Sequence, residues 1–292
     1  MNDYVILTDS CCDLPDELVK RLELDYLPLT VKIEDKSYTN YLDEREISFR
    51  DLYKDLREKK KTRTSQANPE DFIQKMRPYL EKGKDILSIS FSSALSGTYN
   101  SSRLAREELL EAFPSRKIIV IDSLSASLGQ GLLLTYAAEM KKQNRSIEEV
   151  AAWVEENKLK ISHLFTVDDL NHLRRGGRLS FIPAIIGTIL RVKPLLHVSS
   201  EGKLTVEGKA RGRQSSINEL FERLVETIDN SVGNKVYISH ADCLEDAEYL
   251  KEKILKSLPM KEVIINYIGP VIGSHSGPGT LAVFYLGNDR LK

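Results

Sequence analysis

Short apolar runs of strand length alternate with helical patterns along the first half of this chain of 292 residues. Tyr4 to Leu7 is apolar throughout, ends in Thr8-Asp9-Ser10 and gives way to a helix-spaced pattern over Pro15 to Leu24. The same grammar returns twice. Ile86 to Phe91 leads through a loop of small residues into a helix reaching about Phe113, and Lys117 to Asp122 precedes a helix over Gly129 to Lys142. Strands buried on both faces read as runs rather than alternations, so this succession predicts a parallel α/β sheet.

Helix starts are marked independently of the apolar pattern. Asn68-Pro69-Glu70-Asp71 offers an N-cap, Pro at the first helical position and acidic residues in the first turn. Ser146 with Glu149, and Ser216 with Glu219, have capping-box spacing. A helix over Asp51 to Lys60 ends in the run Lys59-Lys60-Lys61, which reads as a solvated helix end.

The pattern restarts with Ile161 to Val167. A hairpin follows, Leu195 to Ser199 and Leu204 to Gly208, turned by Ser200-Glu201-Gly202-Lys203. Then come a helix from Ser216 to about Asn230, the strand Val236 to His240, a helix over Glu245 to Leu258, the strand Val263 to Ile268 and a last strand Leu281 to Leu286. The expectation is a two-domain α/β protein with its boundary near residue 160, dividing 1–160 from 161–292.

Charge narrows the function classes. With 42 Lys and Arg against 43 Asp and Glu the net charge is −1, which excludes a generic polyanion binder such as a nucleic-acid coat. A composition of 41% hydrophobic and 29% charged residues excludes disordered and collagen-like classes. Three cysteines, two of them adjacent (Cys11, Cys12) and one distant (Cys243), make neither a disulfide framework nor a spaced metal site, so no metal is expected. The opening MNDYVILTDS lacks a signal-peptide core, and the apolar stretch Leu179 to Leu196 is broken by Pro183, Gly187, Arg191 and Lys193. A cytoplasmic protein with at most transient membrane contact is expected.

Three loops of small polar residues flank strands: Thr62 to Gln66, Ser92 to Thr98 and Gly273 to Thr280. In an open parallel sheet ligands sit beyond the carboxyl ends of the strands, where the second loop falls. It leads into a helix whose first turn offers free N–H groups and a positive dipole end to an anion. Ser96 and Thr98 add hydroxyls, and Gly97 permits close approach; Ser96 as a plain helix cap is the alternative. In the third loop, low side-chain bulk leaves His275 free to face a ligand or a proton-transfer partner.

Other candidates carry bland readings beside functional ones. Asp9 at the end of the first strand either orients a ligand or accepts loop N–H bonds, and Cys11 and Cys12 read as small-residue packing rather than reactive thiols. Leu173-Arg-Arg-Gly-Gly-Arg178 closes a helix from Asp168, with Gly176 or Gly177 as its left-handed cap; Arg174 and Arg175, with Arg211 and Arg213 beyond the hairpin, also form positive spots for an acidic partner or a phosphate. Phe181 to Leu190 is a buried helix or lines a pocket for an apolar ligand.

Taken together, Thr8-Asp9-Ser10, Thr64-Ser65-Gln66, Ser92 to Thr98, Leu173 to Arg178, Lys193-Pro194 and His275 to Thr280 resemble the DegV family in order and spacing across nearly the whole chain. The resemblance implies a DegV-like fold, with a mainly parallel sheet in the first domain and a mixed one in the second. It implies one long-chain fatty acid, its carboxylate at the domain interface and its tail inside. The chain would then be no enzyme and need no cofactor, serving as the fatty-acid-binding subunit of a bacterial fatty acid kinase whose separate ATP-binding subunit makes the acyl phosphate. Carboxylate ligands fall on Thr64 and Ser96 with His275 close by, and Ser65, Gly97, Thr98 and Ser276 beside them; Arg174, Arg175, Arg211 and Arg213 become candidates for docking the kinase subunit. Ala67-Asn68-Pro69 departs from relatives that have an earlier proline.

The chemistry is consistent. A 16-carbon tail burying about 14 methylenes at roughly 0.8 kcal/mol each contributes on the order of 11 kcal/mol, from which association removes roughly 4 kcal/mol or more. The head must then avoid an unpaired buried charge, which hydroxyls and helix N–H groups can do without a buried arginine. Two rivals remain: a serine-type acyl hydrolase using Ser96, His275 and Asp9, which lacks the Gly-x-Ser-x-Gly elbow, and a phosphohistidine carrier using His275 or His240.

Overall fold

The apolar run at the start of the chain becomes β1 (Tyr4–Asp9), buried along its entire length because parallel strands flank it on both sides. The structure, a computed structural model, describes residues 3–179, 192–229, 235–287 and 290; the Phe181 to Leu190 segment lies outside them. From β1 the chain runs through α1 (Asp16–Arg21), β2 (Leu24–Leu27), β3 (Thr30–Ile33), β4 (Lys36–Thr39), α2 (Phe49–Arg57), β5 (Thr62–Ser65), α3 (Pro69–Glu81), β6 (Asp85–Ser90), α4 (Thr98–Ala112) and β7 (Ile118–Asp122). Next come α5 (Leu128–Lys142), α6 (Ile147–Asn157), β8 (Ile161–Thr166), α7 (Asn171–Arg175), β9 (Val192–Val198), β10 (Leu204–Arg211) and α8 (Arg213–Thr227). The last elements are β11 (Lys235–His240), α9 (Leu244–Ser257), β12 (Glu262–Tyr267), α10 (Pro270–Ser276) and β13 (Leu281–Leu286).

The expected parallel sheet has the order β2-β1-β6-β7, and a six-stranded mixed sheet has the order β10-β9-β8-β13-β11-β12, parallel only between β11 and β12. Both are layered by alternation. Along β1, Val5 and Leu7 face Phe72, Met76, Ala105 and Leu109 of the outer helices, whereas Ile6 faces inward. Along β13, Leu281, Val283 and Tyr285 pack toward α8 and α9, whereas Ala282, Phe284 and Leu286 face inward.

Between the two inner faces lies α5. Every residue from Leu128 to Ala138 is buried, the mostly apolar sequence interrupted by Gln130 and Thr135, whose side chains donate to Thr8 Oγ1 and to the Gly131 carbonyl. One core joins Ile6, Leu87 and Ile89 of the parallel sheet, Leu132 to Leu134 of α5, and Phe165, Tyr237 and Phe284 of the mixed sheet. Tyr237 donates from Oη to Thr135 Oγ1 at 3.1 Å, satisfying both hydroxyls inside it.

Several expectations need correction. The first helix ends at Arg21 because Glu23 takes a left-handed turn (φ 54°), releasing Leu24 into β2. Ser216 forms no capping box: α8 starts earlier, after Gly212, and Ser216 is buried in its first turn, donating to the Arg213 carbonyl at 2.7 Å. The boxes at Asn68 with Asp71 and at Ser146 with Glu149 both close reciprocally.

The Thr62 to Gln66 segment, read as a loop, is largely β5, an outer strand of a three-stranded antiparallel sheet ordered β4-β3-β5. The first half of the third small-residue loop is helical, so His275 sits in the last turn of α10, behind Pro270 at its first position. Gly177, not Gly176, takes the left-handed conformation after α7 (φ 70° against −73°), and α7 begins only at Asn171.

Candidate functional site

Beyond the carboxyl ends of β6 and β7, where the parallel sheet faces the mixed one, lies a cavity of about 410 Å³, within the roughly 300–1,000 Å³ of small-molecule sites. Its walls are mostly apolar. Phe165 of β8, Ala282 and Phe284 of β13, and Val198 and Leu204 of the hairpin form one side; Leu29, Phe91, Leu95, Ile268, Val271 and Ile272 form much of the other. Polar side chains converge from both halves of the sequence: Thr64, Ser65 and Gln66 at the end of β5, Ser96 before α4, Arg178 after α7, and His275 and Ser276 on α10.

Thr64 and His275, 211 residues apart, share a hydrogen bond of 2.7 Å between Oγ1 and Nε2. The β5 backbone fixes Thr64, whose partner in register is Val31 of β3. His275 is pushed from the ordinary 6.5 down to about 4, by burial first and by the nearby Arg178 guanidinium second, so its ring is neutral near pH 7. It packs tightly on the turn after α7, since a Cβ on Gly176 would fall 2.3 Å from Nδ1. A side chain at position 176 is therefore excluded while His275 stays in place.

Ser96 reaches the cavity from the position just before Gly97, the N-cap of α4. Its Oγ lies 2.9 Å from Thr98 Oγ1 and accepts the Thr98 N–H at 3.3 Å. Gln66 locks this loop to β5 by accepting the Gly97 N–H at 3.0 Å, and a Cβ on Gly97 would lie 2.2 Å from that same Oε1. Gly97 and Thr98, expected as ligand contacts, thus stand behind the wall and shape it. Thr64, Ser65, Ser96, His275 and Ser276 line it directly.

The expectation of uncharged donors alone at this end needs correction, because Arg178 lines the cavity too. The left-handed turn at Gly177 folds the chain back over α7, and the guanidinium is steadied by the Leu95 carbonyl, which accepts from Nε at 3.2 Å. Its signal was in the sequence as the last arginine of the Arg-Arg-Gly-Gly-Arg stretch. Periodicity gave no means of separating it from exposed Arg174 and Arg175. The polar end therefore offers hydroxyls, a neutral imidazole and one permanent positive charge, a set suited to a carboxylate.

Asp9 takes the structural reading. It is fully buried, accepts N–H bonds from Cys11 at 3.1 Å and Phe91 at 2.8 Å, and is pushed up to about 6 by burial. Cys11 and Cys12 are buried with thiols shifted upward, opposite to what a reactive thiolate needs. Ser127 lines the cavity and donates to the buried Asp13 carboxyl at 2.6 Å, which burial raises to about 8.

The hydrolase arrangement does not assemble, since Ser96 bonds Thr98, His275 bonds Thr64 and Asp9 serves backbone amides. His240, the other phosphohistidine candidate, is buried against Tyr267 and accepts the Cys243 N–H through Nδ1 at 3.3 Å. Arg174, Arg175 and Arg211 are exposed; Arg213 is half-buried and held by Asp246 at 2.9 Å. Among the described residues no group of three or more His, Cys, Asp or Glu is placed to hold a metal ion, and no helix is long and apolar enough to cross a membrane.

Known proteins resemble this chain over nearly its full length. The profile of the family described as "Uncharacterised protein, DegV family" matches residues 3–288. A DegV domain-containing protein of Clostridium perfringens is 49% identical over 290 residues, covering 99% of each chain. A solved DegV family protein of Thermus thermophilus, described by its fatty acid binding, superposes with a TM-score of 0.87 at 32% identity, covering 98% of this chain and 99% of that one. The fold is also that of the fatty acid kinase B3 protein of Streptococcus pneumoniae, solved loaded with linoleic acid: TM-score 0.84, 23% identity, 98% of this chain and all of the other.

Proposed function

Since this chain belongs to the DegV family, we propose that it holds one long-chain fatty acid and presents the carboxylate to a separate ATP-binding kinase subunit, itself performing no bond-making step. The observation that carries this reading is the polarity of the cavity. Apolar side chains surround most of it, while Thr64, Ser96, His275 and Arg178 gather at one end. An acyl chain gains affinity along the apolar walls, and the carboxylate oxygens meet hydroxyl and guanidinium donors that prevent a buried unpaired charge.

The head group sits at the seam between residues 1–160 and 161–292, each of which supplies part of the polar set. A carboxylate oxygen there forms the bond to the γ-phosphorus of ATP as the bond from that phosphorus to ADP breaks, giving an acyl phosphate. Arg174, Arg175, Arg211 and Arg213 are the charged groups from which a kinase-docking surface would be built. The cytoplasm is the compartment that suits three free thiols.

The experiment loads the protein with a fatty acid, adds ATP and the kinase subunit, and follows acyl phosphate. Wild type supports turnover, and Thr64→Ala with Ser96→Ala loses fatty-acid retention or turnover at least tenfold while remaining folded. Undiminished binding and phosphorylation in that double variant would overturn the head-group assignment.

A further inference from the structure

We propose that His163 closes the far end of the acyl cavity and sets the length of chain accepted, with Arg290 as the residue that positions it. This inference rests on the fatty-acid reading above and adds to it a residue that decides which fatty acid fits.

The direction of the cavity follows from β13. Thr280, just before this strand, is tied to α10, its Oγ1 donating to the Ser276 carbonyl at 3.1 Å beside His275. From there the cavity-lining residues Ala282 and Phe284 lead away from the polar end, so Phe284 lies four residues, roughly 13 Å, farther along the strand. On the neighbouring β8, Phe165 pairs in register with Ala282 and His163 with Phe284. The rings of His163 and Phe284 meet edge to face, 5.2 Å apart at 89°.

An imidazole in an apolar wall calls for a reason, and its hydrogen bonds supply one. Nε2 accepts the Ala126 N–H at 3.2 Å, and Nδ1–H donates to the Ile161 carbonyl at 2.9 Å, which fixes one neutral tautomer. Both nitrogens are engaged by backbone, so the ring turns only carbon toward the cavity. A leucine here could change rotamer to admit a longer tail, whereas swinging this ring would leave the Ala126 N–H and the ring's own N–H without these partners.

Arg290 completes the lock. It is 7% exposed and reaches the Ile161 and Ser199 carbonyls at 3.3 and 3.1 Å and Ser125 Oγ at 3.2 Å, with Nη2 3.3 Å from His163 Nδ1. A cation so placed opposes protonation of the ring and supports the loop carrying Ala126. Burial and this charge together hold the imidazole well below its usual pKa.

The test compares full-length wild type, His163→Ala, Phe284→Ala and Arg290→Met by mass spectrometry of retained lipid and by competition among saturated fatty acids of graded length. In His163→Ala the preferred acid becomes longer, each methylene that wild type excludes gaining about tenfold in relative retention. Phe284→Ala shifts it the same way and reads the same wall should His163→Ala not fold. Arg290→Met broadens the length profile and moves the imidazole ¹⁵N titration to higher pH, because the opposing charge is gone. An unchanged length profile in folded, lipid-retaining His163→Ala and Phe284→Ala overturns this inference alone. Failure of wild type to hold any fatty acid overturns the fatty-acid reading and this inference with it.

Discussion

His275 combines burial, a hydroxyl partner and a neighbouring cation, and its pH behaviour follows from all three. Its folded pKa, about 4, lies below the 6.5 of an ordinary histidine. Above pH 6.5 the ring is neutral folded or unfolded and contributes no pH dependence. Below it only the unfolded chain takes up the proton, so stability falls as pH drops from 6.5 to about 4, by about 3 kcal/mol in total. Denaturation of wild type and His275→Asn over this window measures it: wild type should lose that much more than the variant, and parallel curves would contradict it. Thr64, Ser96 and His275 were recognisable because each stands in a short motif of small polar residues. Arg178 was not, because one arginine among several shows its direction only when the glycine turn beside it is seen.

Helices announced themselves through chemistry that acts locally. Asn68 and Ser146 cap α3 and α6 through bonds within four residues, which is why spacing alone revealed them. Asn68→Ala should therefore destabilise the protein by about 1 kcal/mol in denaturant unfolding without altering the cavity. The three-stranded sheet stayed hidden, because Thr30–Ile33, Lys36–Thr39 and Thr62–Ser65 are four residues each, half exposed, and stabilised by pairing across the chain rather than by an apolar run. It nonetheless positions Thr64. α10 was masked by Gly273 and its serines and by the glycines that follow it, which read as loop until packed against α2 and α7. Gly176→Ala tests the contact between α7 and α10: the added methyl meets His275, costing roughly 1–3 kcal/mol by overpacking and weakening fatty-acid retention together. Unchanged retention would show that His275 need not hold its place.

The two sheets are joined through α5, and Ala126 and Ser127, just ahead of that helix, line the cavity. Alternating strands and helices made the parallel sheet legible from the sequence; the facing of the two sheets, and hence the cavity, arises from contacts more than a hundred residues apart that no local pattern records. Occupancy should stabilise the whole molecule, since a ligand that binds only the folded state at 100 times its Kd adds about 2.7 kcal/mol. Thermal unfolding of delipidated protein, with and without added fatty acid, should show that gain, and it should shrink in Thr64→Ala with Ser96→Ala.

The most direct measurement is the intact mass of the purified protein under native and denaturing conditions, with the lost component identified. One long-chain fatty acid per chain, released on denaturation and restored by adding the acid to stripped protein, is the expected result. A native mass equal to the bare polypeptide, unchanged by added fatty acid, would contradict the proposed role of the cavity.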